Sequence, residues 1–361
     1  TKRVRLDTPY TAAGTSAVPT SAGAVAREPR FTLRDALELF ETMLCAPLEA
    51  EPTAQERAAW EAAATRHAET LADAATYRAG ALHPQLFEPR VQQRWLAPSF
   101  AAALRGGPLA LLAHAEQVAP GVFAFDMLSE AFCTQLLAEL ARHEESGLPV
   151  VRPNSMNNYG VVLNACGFER TMDALQRDCV TPLARLLFPQ QGGDADHHHT
   201  FMVQYRQGED LGLDMHTDAS DITLNVCLGK EFTGAGLTFC GLRGASTAAA
   251  APGEQPKGER HFSYRHTHVK GRAILHCGHH RHGADDIASG ERFNLIMWSK
   301  SSSYRLSQGF LARYQLRPSD RAGGAPPDPV CLSYTHDDDY EEYLELAPDK
   351  RAKRDASRRG G

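Results

Sequence analysis

His216-Thr217-Asp218 is answered far downstream by His282, and ten residues beyond that stands Arg292. Two imidazoles and one carboxylate are the donor set that holds one face of an octahedral Fe(II) and leaves the opposite face open. The pattern constrains the fold because its members lie so far apart in the chain. Separate strand ends must be gathered around one point, as the mouth of a β-barrel does. Arg292 adds a second requirement, since a guanidinium there could grip a carboxylate of a co-substrate through two parallel hydrogen bonds.

The surrounding sequence supplies strands. Val203 to Tyr205 reads as one, and Gly208 to Gly212 as a turn. Ile222 to Leu228 is a β-branched and apolar run, Phe232 to Phe239 is a stretch broken by Gly234 and Gly236, and Val269 to Leu275 and Arg292 to Ser299 are further strands. The first two donors then fall at a strand end, and the third in a turn, His279 to Gly283. Four histidines compete for that third position: His276, His279, His280 and His282. His276, Cys277, His279 and His280 could instead make a zinc site, but their spacing is cramped and no second pair follows. The offset to Arg292 favours His282.

Longer motifs carry a family resemblance. His216-Thr217-Asp218-Ala219-Ser220 followed by Thr223-Leu224-Asn225-Val226 resembles the core of the prolyl and lysyl hydroxylase superfamily. Arg152 to Gly160, Leu224 to Gly234 and Gly290 to Leu295 resemble more closely the 2-oxoglutarate and iron-dependent oxygenase domain-containing protein 2 family. The resemblance runs from about Gly121 to Tyr304; the Ala/Pro/Gly-rich stretch Ala245 to Gly258 departs from it as an insertion. It implies an α+β chain built on a double-stranded β-helix (a jelly-roll barrel) buttressed by helices. It also implies Fe(II), 2-oxoglutarate and O2, with ascorbate as an accompanying reductant. The expected activity is hydroxylation of a C–H bond, on a prolyl or lysyl side chain of a protein or peptide, with release of succinate and CO2.

On that reading His216, Asp218 and His282 are the metal ligands, and Arg292 holds the distal carboxylate of 2-oxoglutarate. Tyr205 adds a phenol hydrogen bond. Strand alternation places Thr223, Asn225 and Cys227 on the face lining the co-substrate pocket, opposite Leu224, Val226 and Leu228. Arg292, Asn294, Ile296 and Trp298 share a face likewise. Asn157, Asn158, Tyr159 and Trp298 are the residues expected to meet substrate. Two other functions compete: an oxygenase of a small metabolite or nucleobase, for which a closed pocket would speak, and a catalytically silent binding module on the same barrel. Four intact site residues argue against the module.

The 361 residues leave room for one large domain or two modest ones. A net charge of −6 gives no general attraction for nucleic acid, though local basic patches remain open. No run of about 18 uncharged apolar residues exists, so no membrane span is expected. Eight scattered cysteines without a repeating frame read as reduced, buried thiols, which favours a cytoplasmic or nuclear setting.

The organisation read along the chain is a flexible segment over 1–29, a helical N-terminal region over 30–118, the oxygenase domain over 119–312 and a partly disordered tail over 313–361. Within the helical region one helix opens at Thr32. A second starts at a Thr53/Glu56 capping pattern, ends near Gly80 and shows a sparse apolar face of Trp60, Ala64, Leu71 and Ala75. Another covers Pro98 to His114. Gly121 to Phe125 is a strand, Ser129 to Glu144 an amphipathic helix burying Phe132, Leu136 (or Leu137) and Leu140, and Glu169 to Leu187 a second long helix. His197 to His199 reads as a polar loop rather than a metal tract. Asp337 to Asp339 with Glu341 and Glu342 reads as a solvated tail, and Lys350 to Arg354 as a basic run that could also be a nuclear address.

Overall fold

The structure is a computed structural model. It describes residues 54–154, 156–242, 264–307, 310, 328–337 and 339–359. The expected flexible segment over 1–29, the expected helix from Thr32, Cys45 and the 245–258 insertion lie outside the described residues. The chain divides into two compact units, Thr1–Ala64 and Thr65–Gly361. Of the first, the described part is the opening of the helix Ala54–Ala79.

That helix ends beside Gly80 as its sequence predicts, but its buried face differs. Leu71 and Ala75 are exposed, and Ala74 and Tyr77 are buried instead; the side chains of Trp60 and Ala64 lie outside the described residues. One polar anchor decides the helix rotation. Tyr77 donates to Glu139 Oε1 at 2.6 Å, and the Leu82 and His83 amides donate to the same buried carboxylate. The segment expected as one helix from Pro98 to His114 is two, Pro98–Gly106 and Pro108–His114. Gly107 between them takes φ 82°, and Pro108 has no amide to continue the first.

Two antiparallel sheets make the body. The larger runs β1 (Glu116–Ala119), β2 (Val122–Asp126), β10 (Arg272–Cys277), β6 (Ile222–Gly229), β12 (Ile287–Lys300), β4 (His197–Arg206) and β3 (Gly160–Val162), with β7 (Phe232–Gly234) pairing the far part of β12. The smaller runs β5 (Leu213–His216), β11 (His280–Ala284), β8 (Leu237–Leu242) and β9 (Tyr264–His266). The stretch from Phe232 to Phe239, broken by Gly234 and Gly236 in the sequence, therefore holds β7 and the start of β8. Gly234 at φ 75° and Ala235 at φ 52° turn the chain between them.

Strand alternation sorts the larger sheet's side chains into two cores. Leu224, Val226, Leu228, Leu275, Leu295 and Met297 face the helices, among them Glu130–Glu145, where they meet Phe132, Leu136 and Leu140. Ser129 caps that helix through Phe132 N. The second long helical run continues from Glu169 to Leu187 through a π-turn at Gln176–Val180. Phe201, Val203, Tyr205, Ile274 and Ile296 face the other way and meet Leu237, Phe239 and Ala284 of the smaller sheet. This second core is the space between the sheets.

His197, His198 and His199 are not a loop but the opening of β4, paired with Lys300, Ser299 and Trp298 of β12. Asp173 and Thr200 hold the buried His198 ring. The tail also departs from expectation. Residues 328–359 include the helices Tyr340–Tyr343 and Pro348–Arg359, and Asp337 is buried and ion-paired with Arg281. Cys331 forms a disulfide with Cys240 of β8, so these two thiols are not reduced; Cys133, Cys166, Cys179, Cys227 and Cys277 are free and buried. No described helix is long and apolar enough to cross a membrane.

Candidate metal centre and co-substrate pocket

β5 ends at His216, and β11 places His282 directly opposite it. His282 is therefore in a strand, not a turn. The turn is the two-residue Gly278-His279, and β11 starts at His280. Gly278 is what lets Asp218 join the two histidines. Its carbonyl accepts from Asp218 N at 2.9 Å, its amide donates to Asp221 O at 3.0 Å, and a Cβ there would lie 2.1 Å from Ser220 O. A side chain at 278 would push the Asp218–Asp221 loop away from β11.

The donor atoms of His216, Asp218 and His282 lie within 4.8 Å of one another, and among the described residues they are the one such group. His216 Nε2 is 3.4 Å from Asp218 Oδ1, and His282 Nε2 is 3.6 Å from Asp218 Oδ2. Each ring puts Nδ1 against a backbone carbonyl two residues back: Asp214 O at 2.6 Å and His280 O at 2.8 Å. A carbonyl only accepts, so Nδ1 carries the proton and Nε2 keeps its lone pair for a metal. Burial alone would raise the Asp218 pKa; the flanking His282 and His216 imidazoles more than offset it and hold the carboxyl far below its ordinary range. Each imidazole can thus offer an Nε2 lone pair and Asp218 an anionic oxygen, a donor set that fits a divalent cation.

Thr223 lines this centre differently from expectation. Its hydroxyl donates to Asp218 Oδ2 at 2.6 Å and meets Ser220 Oγ at 2.7 Å, so it orients the Asp218 carboxylate. The cramped zinc alternative fails on strand geometry. Adjacent residues of β10 face opposite ways, His276 toward Phe239 and His282 between the sheets, Cys277 toward the helices.

Arg292 is fully buried. Its Nη1 donates to Ala235 O, its guanidinium lies 4.3 Å from the Tyr205 ring centre, and its Nε has no partner. No carboxylate among the described residues pairs with it. A buried guanidinium without an anion is costly, and a dicarboxylate ligand would supply the missing partner. Asn157, also buried, donates to the Tyr205 hydroxyl at 3.2 Å. Asn294 Nδ2 donates to Asn225 Oδ1 at 2.5 Å, and Asn294 Oδ1 and His268 Nε2 are left unsatisfied beside it. Cys227 is buried in the same row of the sheet, opposite Asn294.

The expected substrate residues separate. Asn157 joins Tyr205, whose ring lies against Arg292. Asn158 and Tyr159 instead hold Asp210: Asn158 N and Nδ2 reach its carboxylate at 2.7 and 2.9 Å, and Tyr159 N at 3.3 Å. Their polar groups shape a loop. Trp298 sits on β12 opposite Thr223, packed edge-on to Phe201, with its buried Nε1 unpartnered. Residues that no sequence motif marked also contribute: Asp214, Gly278 and His268, and the C-terminal Ser333 and Thr335.

Comparison with known proteins agrees with this geometry. An OGFOD2-like domain model matches residues 75–193, which takes the family likeness well before Gly121 and into the helical region. The human 2-oxoglutarate and iron-dependent oxygenase domain-containing protein 2 is 37% identical over 278 residues, 73% of each chain. The Arabidopsis thaliana oxygenase domain-containing protein ICU11 is 41% identical over 214 residues, 58% of this chain and 51% of that one. The human multifunctional procollagen lysine hydroxylase and glycosyltransferase LH3 is 32% identical over 174 residues, 44% of this chain and 23% of that one. The chain thus spans about half the length of the Arabidopsis relative. With an identity this high across nearly three-quarters of the human relative, the chain belongs to the 2-oxoglutarate and iron-dependent oxygenase domain-containing protein 2 family.

Proposed function

We propose that this chain is an Fe(II)- and 2-oxoglutarate-dependent dioxygenase that hydroxylates a C–H bond on a prolyl or lysyl side chain of a protein, with release of succinate and CO2. The observation that carries this is the pairing of two features between the same sheets: three donors of the right kind on one point, and a buried Arg292 that pairs with no carboxylate among the described residues. The two sheets read as a double-stranded β-helix, and the catalytic domain as residues 119–312. With Fe(II), 2-oxoglutarate and O2 bound, the centre supplies an oxidant that places one oxygen atom in the substrate and the other in succinate.

The chain's own residues do the rest. His216, Asp218 and His282 hold the ion. Asp214 and His280 carbonyls fix the imidazole tautomers, and Thr223 fixes the carboxylate. Arg292, with Tyr205 stacked on it and Asn157 on Tyr205, holds the distal carboxylate. Ile274, Ile296 and Phe201 keep the space between apolar, which excludes water. The protein-side-chain part of the reading is supported by the likeness to a relative whose name records lysine hydroxylation of procollagen.

The test is incubation of the chain with Fe(II), 2-oxoglutarate, ascorbate and pools of lysine- and proline-containing peptides, following succinate and the gain of one oxygen atom by peptide mass. Succinate release coupled to a hydroxylated peptide is the expected result. Succinate release only with small metabolites or nucleobases would replace the substrate class. No succinate under any condition, with the metal bound, would leave a binding module.

A further inference from the structure

The strand that presents His216 is the weakest-held part of the metal centre. β5 is four residues long, lies at the edge of its sheet, and pairs β11 through a bulge between His282 and Ala284. An edge strand this short does not by itself fix a ligand within the few tenths of an ångström that metal geometry needs. Something else holds it.

That something is the C-terminal segment. Asp214 gives its carbonyl to His216 Nδ1 and its carboxylate to the tail. Its Oδ2 accepts from Ser333 Oγ at 2.7 Å, Thr335 N at 3.0 Å and Thr335 Oγ1 at 2.8 Å. The same tail turn reaches the other ligand strand. Ser333 N donates to Asp337 Oδ2 at 2.7 Å, and Asp337 pairs with Arg281, the residue between His280 and His282. Met215, between Asp214 and His216, packs with the Cys240–Cys331 disulfide, which ties the tail to β8. Ser333, Asp337 and Arg281 are buried. One connected chain, Asp214–Ser333–Asp337–Arg281, thus joins the residues that flank the two metal histidines.

We propose that Ser333, Thr335 and Asp337 are positioning residues of the metal centre: the C-terminal turn is a clasp that sets the orientation of His216 and His282 through Asp214 and Arg281. This rests on the iron-site reading above. A cover that only shielded the sheet from water would be satisfied by apolar packing. Here three donors converge on one carboxylate oxygen of the residue whose carbonyl orients a ligand ring. Partners of metal ligands at this remove typically change metal affinity about 10- to 100-fold when lost.

The test uses the full chain and Co(II) as the probe, because its visible absorption reports ligand geometry apart from any turnover. Four proteins are titrated without 2-oxoglutarate: the unaltered chain, Ser333→Ala/Thr335→Val, Thr335→Ser, and Arg351→Ala. The last breaks a tail ion pair with Glu341 that lies outside the clasp. The double substitution should weaken Co(II) by about 10-fold or more and alter its absorption bands. Thr335→Ser, which keeps the hydroxyl, and Arg351→Ala should match the unaltered chain. If the double variant does not fold, Ser333→Ala alone should give a smaller loss in the same direction. A folded double variant, or a folded Ser333→Ala in its place, that binds Co(II) within about threefold of the unaltered chain with the same spectrum would overturn the clasp and leave the metal site standing. If the unaltered chain binds no Co(II), the iron reading falls and the clasp with it.

Discussion

The two sheets face each other across one core but hold their functional residues by different means. At the centre of the larger, every residue of β6 is buried, and Arg292 stands on the 14-residue β12, flanked by β4 and β6. The smaller has strands of three to six residues, and it carries His216 and His282. Arg292 is placed by a long ladder that no single residue controls. The proposed metal ligands are placed by specific local devices: a close approach at Gly278, the Thr223 hydroxyl, two backbone carbonyls and the tail. Substitutions in the smaller sheet should therefore change metal chemistry with modest loss of fold, and substitutions in the larger sheet the reverse.

The sharpest break of that contrast is a ligand against a core residue. Asp218→Ala or His282→Ala should abolish Co(II) binding and 2-oxoglutarate turnover while the circular dichroism spectrum stays that of the folded chain. His279→Ala, in the turn, should leave both nearly unchanged. Leu224→Ala, on the helix-facing side of β6, should destabilise by about 2–5 kcal/mol in urea, with the folded fraction binding metal normally. A Leu224→Ala protein that stays stable but loses metal would end the division between sheets.

Arg292→Ala comes next. Losing one partner of a buried charge pair costs about 2–5 kcal/mol, and each 1.4 kcal/mol is tenfold, so 2-oxoglutarate affinity should fall at least ~30-fold. Metal affinity should hold, because Arg292 is not a ligand. Lys should restore only part, since an ammonium lacks the bidentate fork. Titration of 2-oxoglutarate into the anaerobic Fe(II) form decides it, and a change under about threefold would hand the carboxylate to another cation.

What the sequence made legible follows the same line between sheets. β6 and β12 could be read because period-2 alternation and β-branched content are local properties; the inward set at 223, 225, 292, 294, 296 and 298 emerged from counting alone. A His-x-Asp pair alone is a weak signal; the longer motifs around it and the offset to Arg292 single out His216, Asp218 and His282, whose donors the fold brings within 4.8 Å of one another. The smaller sheet was harder. Glycine-containing sequence around 278–283 has turn composition, yet His280–Ala284 is a strand, since pairing to β5 and β8 overrides propensity. Polarity alone suits Asn158 and Thr223 to a bound molecule, but their partners here include protein carboxylates that only the fold brings near. Asp337 sits in an acidic run that composition marks as solvated; its burial depends on Arg281, 56 residues away in the chain. Nothing local in Ser333, Thr335 or Cys331 announces β5 or β8 as its neighbour.

Acid should weaken the smaller sheet through its buried histidines. His266 on β9 is buried, and burial, helped by the charge of Arg272, pushes its pKa down to about 4 from an ordinary 6.5. The unfolded chain therefore takes up a proton near pH 6.5, and the native chain only near pH 4. Its contribution to stability is whole above about pH 6.5 and is lost as pH falls through that window, by about 1.4 kcal/mol per pH unit. His268, also buried and lowered, adds in the same direction. Urea unfolding at pH 7 and pH 5 should show His266→Gln losing about 2 kcal/mol less than the unaltered chain. Equal losses would mean that His266 is protonated in the native state.

The smallest effect sharpens the comparison most, because it tests whether the larger sheet's pocket also uses local devices. Asn157 lies outside the sheets, in the loop before β3, and its Nδ2 reaches the Tyr205 hydroxyl. The loop holds it there: Asn154 Oδ1 accepts from Met156 N and Asn157 N, both at 2.8 Å, and Asn154 Nδ2 donates to Asn157 Oδ1 at 3.2 Å. Tyr205 in turn stacks on Arg292, so Asn157 acts on the carboxylate clamp at two removes. One net hydrogen bond is worth about 0.5–1.5 kcal/mol. Asn157→Ala should thus weaken 2-oxoglutarate about two- to tenfold, well short of Arg292→Ala, and leave Co(II) affinity unchanged. Tyr205→Phe should give a loss of the same size, and the double variant should add little, because both remove the same bond. A double variant whose losses add in full would show Asn157 contacting the ligand itself, and the ladder would no longer suffice to place the clamp.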